Sequence, residues 1–270
     1  FVETPFRDRA RLTRRQVFKG MFSAGVAVLA LGAIGLFTKG GEFRYTETQL
    51  AVFRQFVDPG NYVRTRFNNL VLAEFDANSE KRKLLIVGDS YGQDVVNAVY
   101  ENEQLSRTFQ ISTFRISSRC GNIFVERSLD EFIAERDKKT GARRSGYENE
   151  DLRKRMQQAD EIWLASSWLE WQVALLPETL MNIEAHSTAK VRIFGRKNFG
   201  AGMSLKRYQR EINAGNASME LAMRSSHLAT NEEMRRILPP EAFVDVSEIM
   251  CGPGPSCINS TDGGLLISYD

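Results

Sequence analysis

The sequence is poor in the residues that bind metals or build disulfide-rich scaffolds. It has two histidines and three cysteines in 270 residues. Only Cys251 and Cys257 lie close together, and no histidine is near them, so a metal site is disfavoured and none is predicted. An excess of one charge is also missing, with 36 basic against 34 acidic residues. This balance excludes a strongly basic nucleic-acid-binding chain and an acidic disordered one.

Charge is uneven only at the N-terminus. Residues 1–19 hold six basic and two acidic residues, and residues 20–38 hold no charge at all. Nineteen residues of helix, at about 1.5 Å each, cover the roughly 30 Å hydrocarbon core of a bilayer. We therefore predict a transmembrane helix at 20–38. The positive-inside rule makes 1–19 a cytoplasmic basic linker and places the main domain on the periplasmic side of a bacterial inner membrane.

Two alternatives for this apolar segment stay open. A buried core helix would have the same hydropathy, although such a helix normally keeps a polar face. A twin-arginine export signal would have the pair Arg14 and Arg15 ahead of an apolar run. No small-residue cleavage site follows the run closely, as a cleaved signal would require.

The remainder of the chain is predicted to be an α/β domain behind a short extension. Residues 39–80 form the extension, with some helix at 46–56. The apolar run 84–87 is typical of a buried parallel strand. Further strands are predicted at 109–116, 161–166, 190–194 and 242–246, with helices at 94–104, 149–158, 205–224 and 231–238. This alternation predicts a doubly wound, mainly parallel sheet with helices on both faces.

A serine stands where such a sheet binds its ligands. The segment Val-Gly-Asp-Ser-Tyr-Gly, residues 87–92, ends the first strand, and open α/β sheets bind at the carboxyl ends of their strands. The glycines permit a sharp turn, so Ser90 can present its hydroxyl while its N–H faces an oxyanion. A nucleophilic serine also needs a base and usually a carboxylate. The alternative is that Ser90 only caps the following helix.

The stretch Leu-Leu-Ile-Val-Gly-Asp-Ser at 84–90 resembles the first block of the SGNH (GDSL) hydrolases, whose nucleophile is this serine. In Cys-Gly-Asn at 120–122, Gly121 is similar to the second-block glycine, which implies an oxyanion hole from the N–H groups of Ser90 and Gly121. The third-block asparagine is absent, since 165–171 read Ala-Ser-Ser-Trp-Leu-Glu-Trp. That stretch is similar to SGNH domains fused to acyltransferase-3 membrane domains. Residues 1–7, Phe-Val-Glu-Thr-Pro-Phe-Arg, resemble the end of the last helix of such a membrane domain.

The resemblance also assigns the C-terminal region. Asp270 corresponds to the first residue of the family's Asp-x-x-His and would be the triad carboxylate. The base histidine is expected three residues later, so the chain is expected to be truncated at both ends. His186 and His227 do not fit the motif and are expected to be surface or structural residues.

The cysteines are interpreted from their spacing and from the predicted export. Glycines and prolines fill the loop between Cys251 and Cys257, and an oxidising compartment permits a disulfide there. A ring this small contributes about 2 kcal/mol and would rigidify the segment leading to Asp270. A metal-ligand pair is the alternative. Cys120 is left over, either as a reactive thiol or, more commonly, as a buried free cysteine.

If residues 81–270 are the SGNH-like domain of an acyltransferase-3 protein, the resemblance implies O-acylation, commonly O-acetylation, of an extracytoplasmic glycan such as lipopolysaccharide O-antigen. The domain itself would bind no cofactor; the expected donor, acetyl-CoA, would serve the membrane domain. Expected partners are the glycan acceptor, that membrane domain and the lipid bilayer, with no nucleic acid. Two other classes remain: a membrane-anchored esterase with the same triad, and a non-catalytic domain that positions a glycan.

Overall fold

The computed structural model describes residues 13–55, 59–139, 146–197, 204–214, 216 and 220–258. It divides into two compact units, Phe1–Val52 and Phe53–Asp270. Asp270 itself, the predicted triad carboxylate, lies outside the described residues.

The first unit contains one long apolar helix. Helix α1, Arg14–Phe37, begins earlier than predicted because Thr13 and Gln16 form a capping box, in which the Thr13 N–H donates to the Gln16 side chain at 2.8 Å. None of its residues is buried. The helix is therefore not a core helix of this unit, and it is long and apolar enough to span a membrane. A 3₁₀ turn at Glu42–Arg44 and helix α2 at Glu47–Gln55 follow.

A parallel five-stranded sheet organises the second unit. Its strands are β1 Arg82–Gly88, β2 Phe109–Arg115, β3 Glu161–Ala165, β4 Lys190–Phe194 and β6 Phe243–Val244. They lie in the order β2-β1-β3-β4-β6, and every adjacent pair is parallel. All five lie where the sequence predicts strands, and the α/β fold with a mainly parallel sheet is confirmed.

The sheet is buried on both faces by helices. In β1, Leu84 and Ile86 point to one hydrophobic cluster and Leu85 and Val87 to the other, and all four are fully buried. Such two-sided burial explains why the strand is a continuous apolar run rather than an alternating one. The flanking helices are α3 Pro59–Asn69, α4 Ser90–Glu101, α5 Glu103–Thr108, α6 Glu135–Lys139, α7 Glu150–Gln158, α8 Glu170–Val173, α9 Leu176–His186, α10 Leu205–Asn213, α11 Ser225–Ile237 and α12 Val246–Cys251.

Three helix predictions need correction. The predicted helix 94–104 instead begins at Ser90 and ends at Glu101, and α5 follows from Glu103. The predicted helix 205–224 ends at Asn213, and Glu220–Ala222 instead forms strand β5, which pairs antiparallel with β7, Ser256–Ile258. Pairing with a distant segment overrides local helix propensity there. The predicted helix 231–238 begins six residues earlier, at Ser225. Helix α9 was not predicted, although a proline in its first turn signals its start.

Part of the predicted extension packs directly on the sheet. Phe67 of α3 is fully buried in the same cluster as Ile86 and Val96. Further along, the Leu72 N–H donates to the Thr113 carbonyl of β2 at 2.8 Å. The segment beginning at α3 thus completes one face of the core.

Candidate functional site

The carboxyl ends of four strands lie level with one another. Gly88 of β1 is in register with Arg115 of β2 and Ala165 of β3, and Ala165 with Phe194 of β4. The order of the strands reverses direction at β1, since β2 lies on one side of it and β3 on the other. Ligands of doubly wound sheets bind at such a reversal. The loops after β1, β2 and β3 therefore form the candidate site.

Gly88 permits a very close approach of β1 to β3. A Cβ at this position would lie 2.0 Å from the Ala165 carbonyl oxygen, closer than any side chain allows. Gly92, one turn into α4, faces Phe67, and a Cβ there would lie 3.1 Å from its ring. The two glycines let the chain turn sharply from strand to helix between them.

Ser90 is the first residue of α4, and its side chain is exposed. Asp89 is the N-cap, and its carboxylate accepts the Tyr91 N–H at 2.9 Å. The capping alternative for Ser90 is therefore wrong, because Asp89 fills that role. Within the described part of the chain, no group hydrogen-bonds the Ser90 hydroxyl. Ser90 is thus an exposed residue at the positive end of a helix dipole.

Asp89 lies between three loops. Besides the Tyr91 N–H, its carboxylate accepts the Ser167 N–H of the β3 loop at 2.9 Å, and the Ser118 side chain of the β2 loop lies close enough to lower its pKa. Burial raises the pKa of this carboxyl group, and the hydrogen bonds from Ser167 and Tyr91 oppose that rise. One buried carboxylate thus fixes the position of the loop that carries Ser90.

A second buried network lies behind the strand ends. The Asn122 side-chain amide donates to the Val87 carbonyl at 3.0 Å and to the Ser166 hydroxyl at 3.1 Å. The Tyr147 hydroxyl donates to Asn122 Oδ1 at 2.7 Å, and burial raises the Tyr147 pKa. Both amide protons of Asn122 are used, so this side chain joins β1 to the β3 loop. Sequence reasoning assigned no role to Asn122.

Gly121 has the backbone conformation that favours glycine, with φ of +85°. Trp171 packs over it so closely that a Cβ would lie 2.6 Å from the indole ring. The Gly121 N–H donates to the Ser117 carbonyl at 3.2 Å. Its predicted part in an oxyanion hole therefore requires this long bond to be shared or released, and that role stays a prediction.

The two histidines lie at opposite edges of the sheet. His186 ends α9, directly before β4 begins, so it lies at the amino edge, where its ring contacts Phe124 with 5.1 Å between centroids. His227 is in the first turn of α11, and its ring lies beside the Lys197 backbone in the loop after β4. The Tyr91 hydroxyl donates to the Lys197 carbonyl at 3.3 Å. His227 thus shares the carboxyl edge with Ser90, and His186 does not.

His227 is held in a cationic, partly buried environment. Burial lowers its pKa, the charge of Arg196 lowers it further, and the Lys197 backbone acts in the opposite direction. Its Nδ1 is buried and has no hydrogen-bond partner among the described residues. The sequence carried no motif that singled out this histidine.

The cysteines divide into a bonded pair and a free thiol. Cys251 and Cys257 form a disulfide with their Cα atoms 4.7 Å apart. Cys120 is buried and unbonded, and burial followed by the charge of Asp137 raises its pKa. A raised pKa lowers the thiolate fraction, which disfavours a reactive thiol. The described residues contain no cluster of histidine, cysteine, aspartate or glutamate suited to a metal ion.

No family model, curated protein or solved structure matches this chain. The candidate site therefore stands on its geometry.

Proposed function

We propose that the protein is an extracytoplasmic O-acyltransferase domain, in which Ser90 carries an acyl group to a hydroxyl of an exported or surface glycan. The observation that carries the proposal is the position of Ser90: exposed, first in α4, and at the reversal point of a parallel sheet. The turn that presents it depends on Gly88 and on the buried Asp89. A serine placed only for helix capping needs neither feature.

The chemistry would proceed in two balanced steps. In the first, a base takes the Ser90 hydroxyl proton, Oγ bonds to the acyl carbon, and the donor's leaving group departs with that proton. In the second, the base takes a proton from a sugar hydroxyl, the sugar ester forms, and Oγ regains the proton as its bond to the acyl carbon breaks. The Ser90 N–H would stabilise the oxyanion, with Gly121 as the second donor.

The base and its carboxylate come from the family resemblance. A histidine three residues after Asp270 would take the proton, and Asp270 would orient it. The acyl group would arrive from an acyltransferase-3 membrane domain that uses a cytoplasmic thioester, with acetyl-CoA as the expected donor. Helix α1 would then cross the inner membrane and leave the sheet domain in the periplasm, which suits the disulfide between Cys251 and Cys257.

The test is acyl-enzyme formation. The full-length protein is incubated with p-nitrophenyl acetate and analysed by intact mass and peptide mapping. One acetyl adduct on Ser90 is expected, and Ser90→Ala should abolish it. Ser225→Ala is the matched control, because Ser225 is also exposed and also the first residue of a helix, α11. An adduct that persists in Ser90→Ala would refute the assignment.

One observation favours hydrolysis instead of transfer. The Ser90 side chain is exposed, and an acyl-enzyme open to solvent is open to water. A membrane-anchored esterase would release free acetate at the same rate with or without glycan. A transferase would form acetylated glycan at the expense of acetate release, and measuring both products separates the two.

A further inference from the structure

Two aromatic rings form an exposed stack beside the candidate site. Phe132 and Trp171 lie nearly parallel, with centroids 5.1 Å apart and planes inclined by 9°. Phe132 is 38% exposed and Trp171 is half-buried. Trp163 and Trp168, in contrast, are 8% and 0% exposed. We call Phe132 and Trp171 the aromatic platform.

The aromatic platform is connected to the Ser90 loop. Trp171 covers Gly121, the glycine that follows β2. Its neighbour Gln172 donates to the Ser118 carbonyl at 2.5 Å, and the Ser118 side chain lies beside the Asp89 carboxylate, whose pKa it lowers. Gly121 and Ser118 both follow β2, so the platform lies at the carboxyl edge of the sheet, the edge that carries Ser90.

The chemistry of this surface matches a sugar ring. One face of a pyranose presents C–H groups with partial positive charge, and the face of an aromatic ring is negative, so the two stack. Glu131 and Glu170, the sequence neighbours of the two rings, are exposed. Carboxylates accept hydrogen bonds from sugar hydroxyls and repel anions. A phosphate offers no such C–H face, so a glycan is the better fit for this surface.

We propose that the aromatic platform binds a pyranose ring of a neutral glycan, the acceptor for the acyl group on Ser90. Its role as acceptor site rests on the proposed function, whereas binding of the sugar does not require turnover. An acyl chain would need an enclosed apolar groove, and Phe132 is open to solvent.

The test measures binding alone. Protein carrying Ser90→Ala, which blocks acyl transfer, is titrated with maltohexaose, cellohexaose, mannohexaose and chitohexaose. Tryptophan fluorescence reports on Trp171, the least buried of the three tryptophans, and calorimetry supplies the affinity. At least one hexasaccharide should bind saturably. Phe132→Ala should weaken that binding about fivefold, the effect of one lost stacking contact, and Phe132→Tyr should restore it.

Tyr100→Ala is the matched control. Tyr100 is 41% exposed, close to the exposure of Phe132, but it lies on α4 beneath Arg66. Its removal should leave the affinity for the hexasaccharide unchanged. Equal weakening by Tyr100→Ala and Phe132→Ala would overturn the proposal, as would a fluorescence response to hexanoate but to none of the hexasaccharides.

The two proposals fail in different ways. If Ser90 were acetylated but no hexasaccharide bound, the proposed role of the aromatic platform would be refuted and the proposed function would remain. Phe132-dependent sugar binding without a Ser90 adduct would keep the platform and remove the acyl-enzyme.

Discussion

The loops that follow β1 and β4 are each held by one buried polar side chain, and the two side chains differ in chemistry. Each strand is followed at the same sheet edge by a polar loop held by one buried polar group. Asp89 holds the β1 loop and Asn231 the β4 loop, with 7% and 3% of their surfaces exposed. Asn231 accepts the Arg196 N–H at 2.7 Å and donates to the Arg196 carbonyl at 3.0 Å.

The difference lies in what each group can do with its protons. An amide both donates and accepts, so Asn231 closes the β4 loop on itself and also donates to Asp245 at 3.0 Å. A carboxylate only accepts, so Asp89 must collect donors from the other loops, and burying its charge raises its pKa. A charged clamp is the more costly way to hold a loop. Such cost is typical of sites that position reactive groups.

Replacing the two loop glycines should give the largest difference between the strand ends. Gly88→Ala places a Cβ 2.0 Å from a backbone oxygen, which cannot move without distorting β3, whereas Gly195→Ala places one 2.9 Å from the Asn231 side chain. We expect Gly88→Ala to lose at least about 3 kcal/mol and Gly195→Ala about 1 to 2 kcal/mol. Thermal melting in detergent measures both.

Gly146→Ala is the control for these substitutions, because nothing lies within 4 Å of a Cβ at that position. It should melt within about 2 °C of the parent, the shift expected for less than 0.5 kcal/mol. If Gly88→Ala and Gly195→Ala melted at the same temperature, the close approach of β1 to β3 would not be what constrains Gly88.

The disulfide should matter next, and on the β4 side. Ser247 of α12 donates its hydroxyl to the Arg196 carbonyl at 3.0 Å, and the bond from Cys251 to Cys257 fixes the end of that helix. The double substitution Cys251→Ser and Cys257→Ser should lower stability by about 2 kcal/mol, because the unfolded chain gains the entropy of an open loop. Cys120→Ser should show no change in the disulfide map. Non-reducing peptide mapping that found Cys120 linked to either partner would contradict the pairing.

Sequence patterns were sufficient for the sheet and for the turn that carries Ser90. The run 84–87 predicted β1 because a strand buried on both faces contains almost only apolar residues. The glycines around Ser90 predicted a sharp turn, and in the structure Gly88 at that turn packs closely against the Ala165 carbonyl. The neighbours of Asp89 could not be predicted from the sequence. Ser118 and Ser167 are 29 and 78 positions away, and only the pairing of strands brings their loops to Asp89.

Asn231 shows a different limit of sequence reasoning. A helix was predicted to begin at this residue. The residue lies instead within α11, buried, with all its bonds to the loop after β4 and to Asp245. Nothing in the neighbouring sequence distinguishes an asparagine at the start of a helix from one that is buried within the helix and bonds a distant loop.

Asp89→Asn should change how stability depends on pH. The pKa of Asp89 is raised in the folded protein, so its contribution to stability is complete below the ordinary carboxyl value of about 3.9 and is lost as pH rises through the folded value. Asparagine does not titrate. One backbone N–H that donates to the Asp89 carboxylate would instead face the amide N–H groups of asparagine, at a cost of about 1 to 2 kcal/mol. The stability advantage of the parent should therefore narrow as pH rises from about 4.

Asn231→Asp provides the opposite case for this comparison. It removes the donors to the Arg196 carbonyl and to Asp245, and it places a second carboxylate beside that of Asp245. Like-charge contact raises the pKa of such a group, so this variant should lose stability as pH rises. Melting curves between pH 4 and pH 8 measure both variants, and a parent advantage over Asp89→Asn that widened with pH would refute the assignment of the buried charge.

The smallest effect is expected from the histidine at the β4 end. Burial and the charge of Arg196 lower the His227 pKa, and its ring lies beside the Lys197 backbone, so we expect this histidine to have a structural role. His227→Ala should change the rate of Ser90 acetylation by less than about threefold, or roughly 0.7 kcal/mol. His186→Ala, at the opposite edge of the sheet, should have no effect. Stopped-flow release of p-nitrophenolate gives the rates. Loss of a triad base costs about a thousandfold or more, so a loss of that size in His227→Ala alone would make His227 the base and displace the histidine expected after Asp270.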